Sequence, residues 1–456
     1  MIFRIEAYER TRPAALPWLH HIPEHWRIAR AKTVMSAIDV RSASGEEELL
    51  TVSSSRGVVP RSSASVSMFK AETYVGHKLC WPDDLVINSL WAWSRGLGVA
   101  RDHGIVSTAY GVYRQREQTL DPAYLDHLVR SEPFQWELQV RSQGVWKSRL
   151  QMTDARWLDA PLLIPPADEQ AVIVKYLAHA NARIDKAIAA KRRLIALLQE
   201  QVRSQAETLI SDVASGAPEP LLGRALRRIE QGTSPSAVEG DLADSQWAVL
   251  SLSAVNRGVF VPTALKPVST EFVVPPALEL HDGDLLMTRS NTRERVGDVA
   301  VVAGVRPRSF MSDLIYRLVP RSDLLTTDFA SILLRTRRVR VQIEAAARGS
   351  SDTMPKLSQG HIKGLRVCLP SLEAQNHVVA TLEALTKPIR AAEDRAEREL
   401  QLLREFRKRL VADVVTGQVD VRQIAKYLPD AEATAVEQLV DCEDLSVEDV
   451  MEMGEV

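Results

Sequence analysis

Two stretches of this chain repeat one another, and together they constrain its fold more than any other feature. Residues 162–216 and 367–417 each run from a proline-marked opening into a long periodic segment that ends at glycine. Pro165 answers Pro370, Gln170 answers Gln375, Leu177 answers Leu382 and Leu198 answers Leu403, all at a spacing of 205 residues. At the far end LISDVASG (209–216) answers LVADVVTG (410–417) at a spacing of 201, so the first copy is four residues longer. Four residues are about one helical turn. An internal repeat of this kind sets the architecture before any local feature does.

Each copy predicts a helix. Proline cannot continue a strand ladder and disfavours helix in the residue before it, so Pro165-Pro166 ends what precedes. Asp168 and Glu169 then fall in a first turn, where negative charge suits the helix dipole. Leu177, Ala180, Ile184, Ile188, Ile195, Leu198, Val202 and Leu209 form a seam of apolar or small residues, mostly three, four or seven apart, that stops at Gly216. The second seam is Val378, Leu382, Leu385, Ile389, Ala392, Ala396, Leu403, Phe406, Leu410 and Val414. At about 1.5 Å per residue the first helix runs roughly 60 Å. A helix so long, with so narrow an apolar stripe, needs a partner helix, and the other copy supplies it. The copies differ in two places. Glu373-Ala374-Gln375 stands where the first has Asp168-Glu169-Gln170, and Pro388 lies inside the second helix, where a kink is expected.

The intervening text repeats as well. SSSRGVVP (53–60) answers SAVNRGVFVP (253–262), and DDLVINSLWAWSR (83–95) answers GDLLMTRSNTRER (283–295). GIVSTAYGVYR (104–114) answers SFMSDLIYRLV (309–319), and RSQGVWKSRL (141–150) answers ARGSSDTMPKL (347–357). The expected order is an extended N-terminal arm (1–17), a mixed α/β domain (18–164) anchored by Trp18 and Trp26, and a spacer helix (165–216). A second mixed domain (217–368), a second spacer helix (369–420) and an acidic tail (421–456) follow. The fold class is α+β: two repeated mixed domains and a pair of long coiled-coil helices. Asp121 and Pro122 suit the cap and first position of a helix in the first domain.

Composition is that of an ordinary globular chain, 45% apolar and 25% charged. No apolar run reaches transmembrane length and the opening MIFRIEAYERTRP has no signal-peptide core, so a cytoplasmic protein without membrane contact is expected. Cys80, Cys368 and Cys442 lack disulfide or metal spacing. The net charge of −2 conceals an asymmetry: ten acidic residues and no Lys or Arg follow Lys426, leaving 57 basic against 49 acidic residues before it, a net of +8. The tail suits a solvating segment or a partner-binding one.

At this point the ordered set of motifs carries a family resemblance. The IPEHW opening (22–26), LLIPPADEQ with its helix (162–170 onward), GDLLMTRSN (283–291) with VGDVAVV (296–302), and VTG (415–417) recur in one order. Over about residues 16–420 the chain resembles the specificity subunit of type I restriction–modification systems. The resemblance implies two target-recognition domains, each reading one half of a gapped site on double-stranded DNA, held apart by an antiparallel helix pair. It also implies two methyltransferase subunits docked on those helices and, for cleavage, two motor-nuclease subunits. S-adenosylmethionine, ATP and Mg²⁺ would then be bound by the partners and not by this chain. Independently, two readers on one face of DNA must stand about one helical turn, roughly 34–36 Å, apart, which stiff helices allow and a flexible linker does not.

The residues themselves offer no catalytic constellation. There is no GxxxxGK[ST] loop, HExxH or CxxC, and the Pro-Pro pairs IPPA (164–167) and VPPA (274–277) lack the Asn/Asp-Pro-Pro-aromatic core of an adenine methyltransferase. His21 and His25 are four apart, but Pro23 between them argues against a helical metal pair. Glu279, Asp282 and Asp284 suit a turn before a strand better than a Mg²⁺ site. A non-catalytic recognition subunit is expected; a stand-alone DNA-acting enzyme with an unrecognised site and a scaffold built on paired helices are the alternatives.

For DNA contact, Arg suits guanine's major-groove edge and Asn adenine's, while other polar groups hold phosphates. In the second domain the candidates are Arg289, Asn291, Arg293 and Arg295, then Arg257 beside Asn256, and Arg348 and Lys356 around a Gly-Ser-Ser loop. The equivalent places in the first domain hold Arg56, Arg61, Asn88, Arg95, Arg101, Lys147 and Arg149. Trp91 and Trp93 stand where the second domain has Asn291 and Arg293, and suit packing better than base contact. RTRRVRVQ (335–342) reads as a helix face suited to phosphate or partner contact.

Overall fold

The computed structural model describes residues 6–63, 73–144, 150–235, 242–243, 246–269, 271–347 and 355–429. The proline-opened segments are the two longest helices, Ala167–Ala214 with 48 residues and Leu372–Val415 with 44. The difference is the one turn that the repeat offset required. Gly216 and Gly417, just past the two ends, have φ of +78° and +71°, a left-handed conformation that glycine adopts without strain. Around Gly417 the Gln418 amide donates to Asp413 O at 2.8 Å, closing the last turn.

The chain forms two compact units. The first joins the residues up to Lys191 to those from Arg398 onward; the second is Arg192–Glu397. The long helices are therefore divided between the units and are not bodies of their own. In the first unit Asp185 pairs with Arg407, and Lys191 with Glu399 at 2.5 Å. One number rises as the other falls, so the helices run antiparallel. In the second unit Gln199 Nε2 donates to Glu393 Oε1 at 2.6 Å.

These contacts correct the expected seam. Leu385, Ala392 and Phe406 are exposed, whereas Thr386 and Leu400 are buried and Glu393 and Arg407 are half-buried. The packed face alternates steps of three and four from Ile389 through Glu393, Ala396, Leu400, Leu403 and Arg407 to Leu410, so the three exposed residues lie one position off it. The first helix follows the same rule from Ile184 and Ile188 through Lys191, Ile195 and Leu198 to Val202. Polar residues thus occupy some layers of the seam, a device that fixes register in coiled coils at some cost in stability. The helix continues through Pro388. Ala384, whose carbonyl lacks its usual donor there, is exposed and so open to water.

Each unit carries the same four-stranded antiparallel sheet. In the first the order is Met35–Ala37, Tyr110–Gln115, Leu85–Asn88, Leu97–Val99; in the second it is Leu226–Gln231, Ile315–Pro320, Leu285–Thr288, Val299–Val301. Leu85 pairs with Tyr113 and Val99, and Leu285 with Leu318 and Val301. The GIVSTAYGVYR and DDLVINSLWAWSR repeats are the two central strands. Asp121 caps the helix Pro122–Val129 by accepting from the Ala123 and Tyr124 amides, as its sequence implied. Trp26, Trp157, Tyr113, Tyr124 and Phe134 fill the first core. Trp18 is half-buried, its Nε1 donating to Glu137 Oε1 at 2.8 Å.

Both ends of the described chain belong to the first unit. Thr11–Leu16, expected as part of an arm, is a strand paired with Leu19–Pro23. Glu6 bridges to Asp420, and Val421 and Ala425, expected at the start of the tail, are buried in the same core. Among the described residues no helix is long and apolar enough to cross a membrane.

Candidate nucleic-acid interface

In each unit a set of three hydrogen bonds ties the start of the long helix to the segment that follows a central strand. Gln170, in the first turn of its long helix, donates from Nε2 to Thr119 O and Pro165 O, and its Oε1 accepts from the Asp121 amide. Gln375 makes the same three bonds with Leu324 O, Pro370 O and the Thr326 amide. Every partner is displaced by 205 residues. Both glutamines are buried, so each bond is made away from competing water. The turn before the central strand is also duplicated: Asp84 Oδ2 accepts from the Trp81 amide and Asp284 Oδ2 from the His281 amide.

That turn accounts for the acidic cluster. Asp284 also binds Arg317 at 2.9 Å, Glu279 Oε1 accepts from the Arg308 amide, and Asp282 Oδ1 accepts from the Val305 amide. Among the described residues no three His, Cys, Asp or Glu side chains converge as a metal site would require. His25 Nε2 lies 2.6 Å from Glu169 Oε2, and Tyr8 OH and Trp26 Nε1 donate to the other oxygen of that carboxylate. Burial and the bond to Glu169 push the Tyr8 hydroxyl far above its usual range, which keeps it a donor. A hollow of about 410 Å³ in the first unit is lined by Asp84, Arg114, Asp121 and Gln170, groups already bonded within the fold.

In the second unit the structure brings two sequence-distant candidates together. The hairpin tip Asn256–Arg257 and the loop from Asn291 to Arg295 meet at Asp298, a buried carboxylate that the sequence reading missed. Asp298 Oδ2 accepts from the Arg257 amide at 3.3 Å and lies 3.8 Å from Arg295 Nε; its Oδ1 lies 3.8 Å from Arg340 Nη1. Burial raises its carboxyl pKa against the opposing pull of Arg340, Arg295 and Arg257. Arg295 also binds the Asn256 side chain. Arg257 is exposed and held at φ +47°, and Arg293 is exposed with no hydrogen bond or ion pair among the described residues. Asn291 is half-buried and accepts from the next amide, Thr292. Arg289 turns inward: its Nη1 donates to Asp313 O at 3.2 Å and its guanidinium lies 5.9 Å from the Tyr316 ring centroid. Lys356 is exposed on a bridge to Ser290, and Arg348 lies outside the described residues.

The first unit distributes its candidates differently. Arg56 is exposed and donates to Ser63 O at 2.8 Å, Asn88 donates to Tyr110 OH, and Arg95 donates to Arg130 O. Arg61 is half-buried and Arg101 exposed. Lys147 and Arg149 lie outside the described residues. Trp93 is buried, with its Nε1 on Leu90 O and its ring 5.6 Å from that of Trp91, a packing role. RTRRVRVQ runs into the helix Arg337–Ala346; there Arg340 donates to Val296 O and Glu294 O, and Arg338 pairs with Glu219.

The 205-residue offset also links Arg335, the first residue of RTRRVRVQ, to Arg130, which the sequence reading did not single out. Arg130 lies against Gly57, and a Cβ on that glycine would stand 3.0 Å from Arg130 Nη1. Arg335 lies against Gly258, where the same distance would be 2.0 Å. Both glycines have positive φ, +73° and +90°, in the turn of a hairpin. Each arginine thus braces the tip that carries Arg56 or Arg257.

The chain is 27% identical over 167 residues to the type I restriction enzyme EcoEI specificity subunit of Escherichia coli. That match spans 36% of this chain and 28% of the relative, under a third of its length. The fold matches a chain from a structure titled as the basis of complex assembly and conformational transition of the type I R-M system, at a TM-score of 0.54 and 16% identity. That likeness covers 87% of this chain and 99% of the other. The HsdS subunit from Thermoanaerobacter tengcongensis overlays more loosely, at a TM-score of 0.38 and 19% identity over 86% of this chain and 96% of its own. No family model matches the chain.

Proposed function

We propose that this chain, similar in sequence and fold to type I restriction–modification specificity subunits, is the DNA-recognition subunit of such an assembly. Each unit reads one half of a bipartite site on double-stranded DNA, and the helix pair sets the gap. The observation that carries the reading is a duplicated framework with unlike tips. Sheet, glutamine clamp and braced hairpin recur in both units, whereas the polar side chains at the tips differ. A protein that reads two different half-sites needs one scaffold twice and different contacts on each. In the second unit the exposed Arg257 and Arg293 are assigned the contacts to base edges or phosphates. Arg289 and Arg295 are committed to Asp313, Asn256 and Asp298, and hold the loop in shape.

The partners follow from the same reading. Two methyltransferase subunits dock on the long helices, and motor-nuclease subunits join where the system cleaves. Support comes from the apolar residues that the seam leaves outside: Leu402 and Phe406 are 62% and 54% exposed in the first unit, and Leu197 is 52% exposed in the second. S-adenosylmethionine, ATP and Mg²⁺ are assigned to the partners, and the assembly to the cytoplasm.

A base-resolution map of adenine methylation, with the gene intact and deleted, tests the role. Deletion should abolish methylation at one gapped motif; an unchanged map in a strain that expresses the partners would reject it. Replacing Arg293 and Arg257 with Ala should relax one half of that motif and leave the other intact. Unchanged preference at both halves would remove these residues from the interface.

A further inference from the structure

The braced hairpins differ in one charge. In the first unit the guanidinium of Arg130 is neutralised by Asp126, four residues earlier, at 3.1 Å, and donates to Ser54 O and Ser55 O. The residue 205 positions after Asp126 is Ser331. Arg335 therefore occupies the place of Arg130 without its carboxylate; its backbone amide donates to Ile332 O, but among the described residues its guanidinium makes no hydrogen bond or ion pair. The carboxylate that acts on its charge is Asp298, which already serves Arg295, Arg340 and the Arg257 amide.

The surroundings of Arg335 are otherwise cationic. Arg203 and Arg390, from the two long helices, both act on its charge. Arg390 is exposed and has no partner among the described residues, and Arg203 holds Glu200 only at the surface, 3.1 Å away. Burial, reinforced by these two arginines and opposed by Asp298, pulls the Arg335 guanidinium below its usual value. A half-buried guanidinium is costly when uncompensated, and an anion is the ordinary remedy.

We propose that Arg335, flanked by Arg203 and Arg390 against the Asn256–Gly258 turn, is a seat for a backbone phosphate of double-stranded DNA. This rests on the recognition reading above. A DNA phosphate fits better than an acidic protein surface because the braced turn is the one that presents the exposed Arg257 against the Asn291–Arg295 loop, so DNA lying on that tip brings its backbone to Arg335. Guanidinium pairs readily with phosphate oxygens, often through two parallel bonds. Such a contact positions the duplex and carries no sequence information. The first unit lacks the seat because Asp126 fills it. Backbone anchoring by this arginine is therefore a property of the second half-site alone.

The test uses the full chain, in whatever assembly it purifies, with a labelled random-sequence DNA duplex titrated at several salt concentrations. Two variants separate charge from bracing. Arg335→Gln removes the guanidinium; Ser331→Asp leaves it in place and supplies the carboxylate that Arg130 has. Each should weaken binding roughly tenfold and make the slope of log affinity against log salt shallower by about one, regardless of sequence. Ser331→Asp should also unfold at the parent's temperature or above. If the parent binds with a clear salt slope and Ser331→Asp matches it, the seat is overturned while the recognition reading stands. Loosening of a co-purifying protein by Ser331→Asp, with DNA affinity intact, overturns the DNA seat in favour of an acidic partner. A parent that binds no duplex in a salt-dependent way defeats both the recognition reading and the seat.

Discussion

The two units share a framework and differ in how its charges are balanced. Sheet order, central register and the three bonds of Gln170 and Gln375 are the same in each. Around that framework the ionic groups are redistributed. Arg114 meets Asp84 with two bonds of 2.7 Å and keeps 43% of its side chain exposed. In the second unit the buried Arg317 joins Asp284, Glu230 and the carbonyls of Glu279 and Ala277. Glu169 receives Tyr8, His25 and Trp26, whereas Ala374 at the equivalent position can accept nothing by its side chain. Arg130 has Asp126, and Arg335 has none. The difference teaches that backbone-directed bonds hold the duplicated fold, and that side-chain charges are the part left to vary.

The largest expected effect breaks the comparison in the second unit. Arg317→Met leaves two carboxylates and two carbonyls without their shared donor and should cost about 3–5 kcal/mol. Arg114→Met takes two bonds from the buried Asp84 carboxylate, which keeps the Trp81 amide, and should cost about 2–3 kcal/mol. Equal losses in chemical denaturation would refute the contrast. The pH dependence has a definite sign. Burial alone would raise the Glu230 carboxyl, but its bonds to Arg228 and Arg317 hold it below the ordinary carboxylate value. That stabilisation is present above the ordinary carboxylate range and is lost as pH falls through the lower, folded value. In Arg317→Met the loss of stability on that acid limb should be smaller than in the parent.

Glu169→Ala comes next. It strands two buried donors, Tyr8 OH and Trp26 Nε1, and should cost about 3 kcal/mol. Hydrogen exchange should accelerate in the strands around Trp26 and stay at parent rates in the sheet of the second unit. Faster exchange in both sheets would mean that the units do not unfold separately. The smallest effect sharpens the comparison. Gln170→Ala and Gln375→Ala each remove the same three buried bonds and should cost about 2 kcal/mol apiece. Losses that differ by more than a factor of two would show that the duplicated geometry conceals unequal stability.

Much of this was legible in the chain because it is periodic. Offsets of 205 and 201 residues predicted two long helices differing by one turn, and GDLL against DDLV marked the equivalent central strands. The seam register was less legible. Leu385 and Phe406 look like seam residues by spacing, yet Thr386 and Arg407 take those layers. Positions one step apart both satisfy a loose helical period, and only the facing helix decides between them. Among the candidate DNA contacts, Arg289 and Arg293 are alike in sequence, but one is tied to Asp313 and the other is exposed.

What the amino-acid sequence determined by itself was the duplication, the element types and the chemical character of the loops. Those follow from local propensity and from spacing, which a linear chain carries in full. Tertiary structure alone decided which charges are spent within the fold and which remain to meet a partner. Asp298 collects two arginines and a hairpin amide from segments about 40 residues apart, while Ser331 leaves Arg335 unmatched. Ion pairing depends on distances of a few ångströms between segments remote in sequence, and the chain does not encode those distances until it has folded.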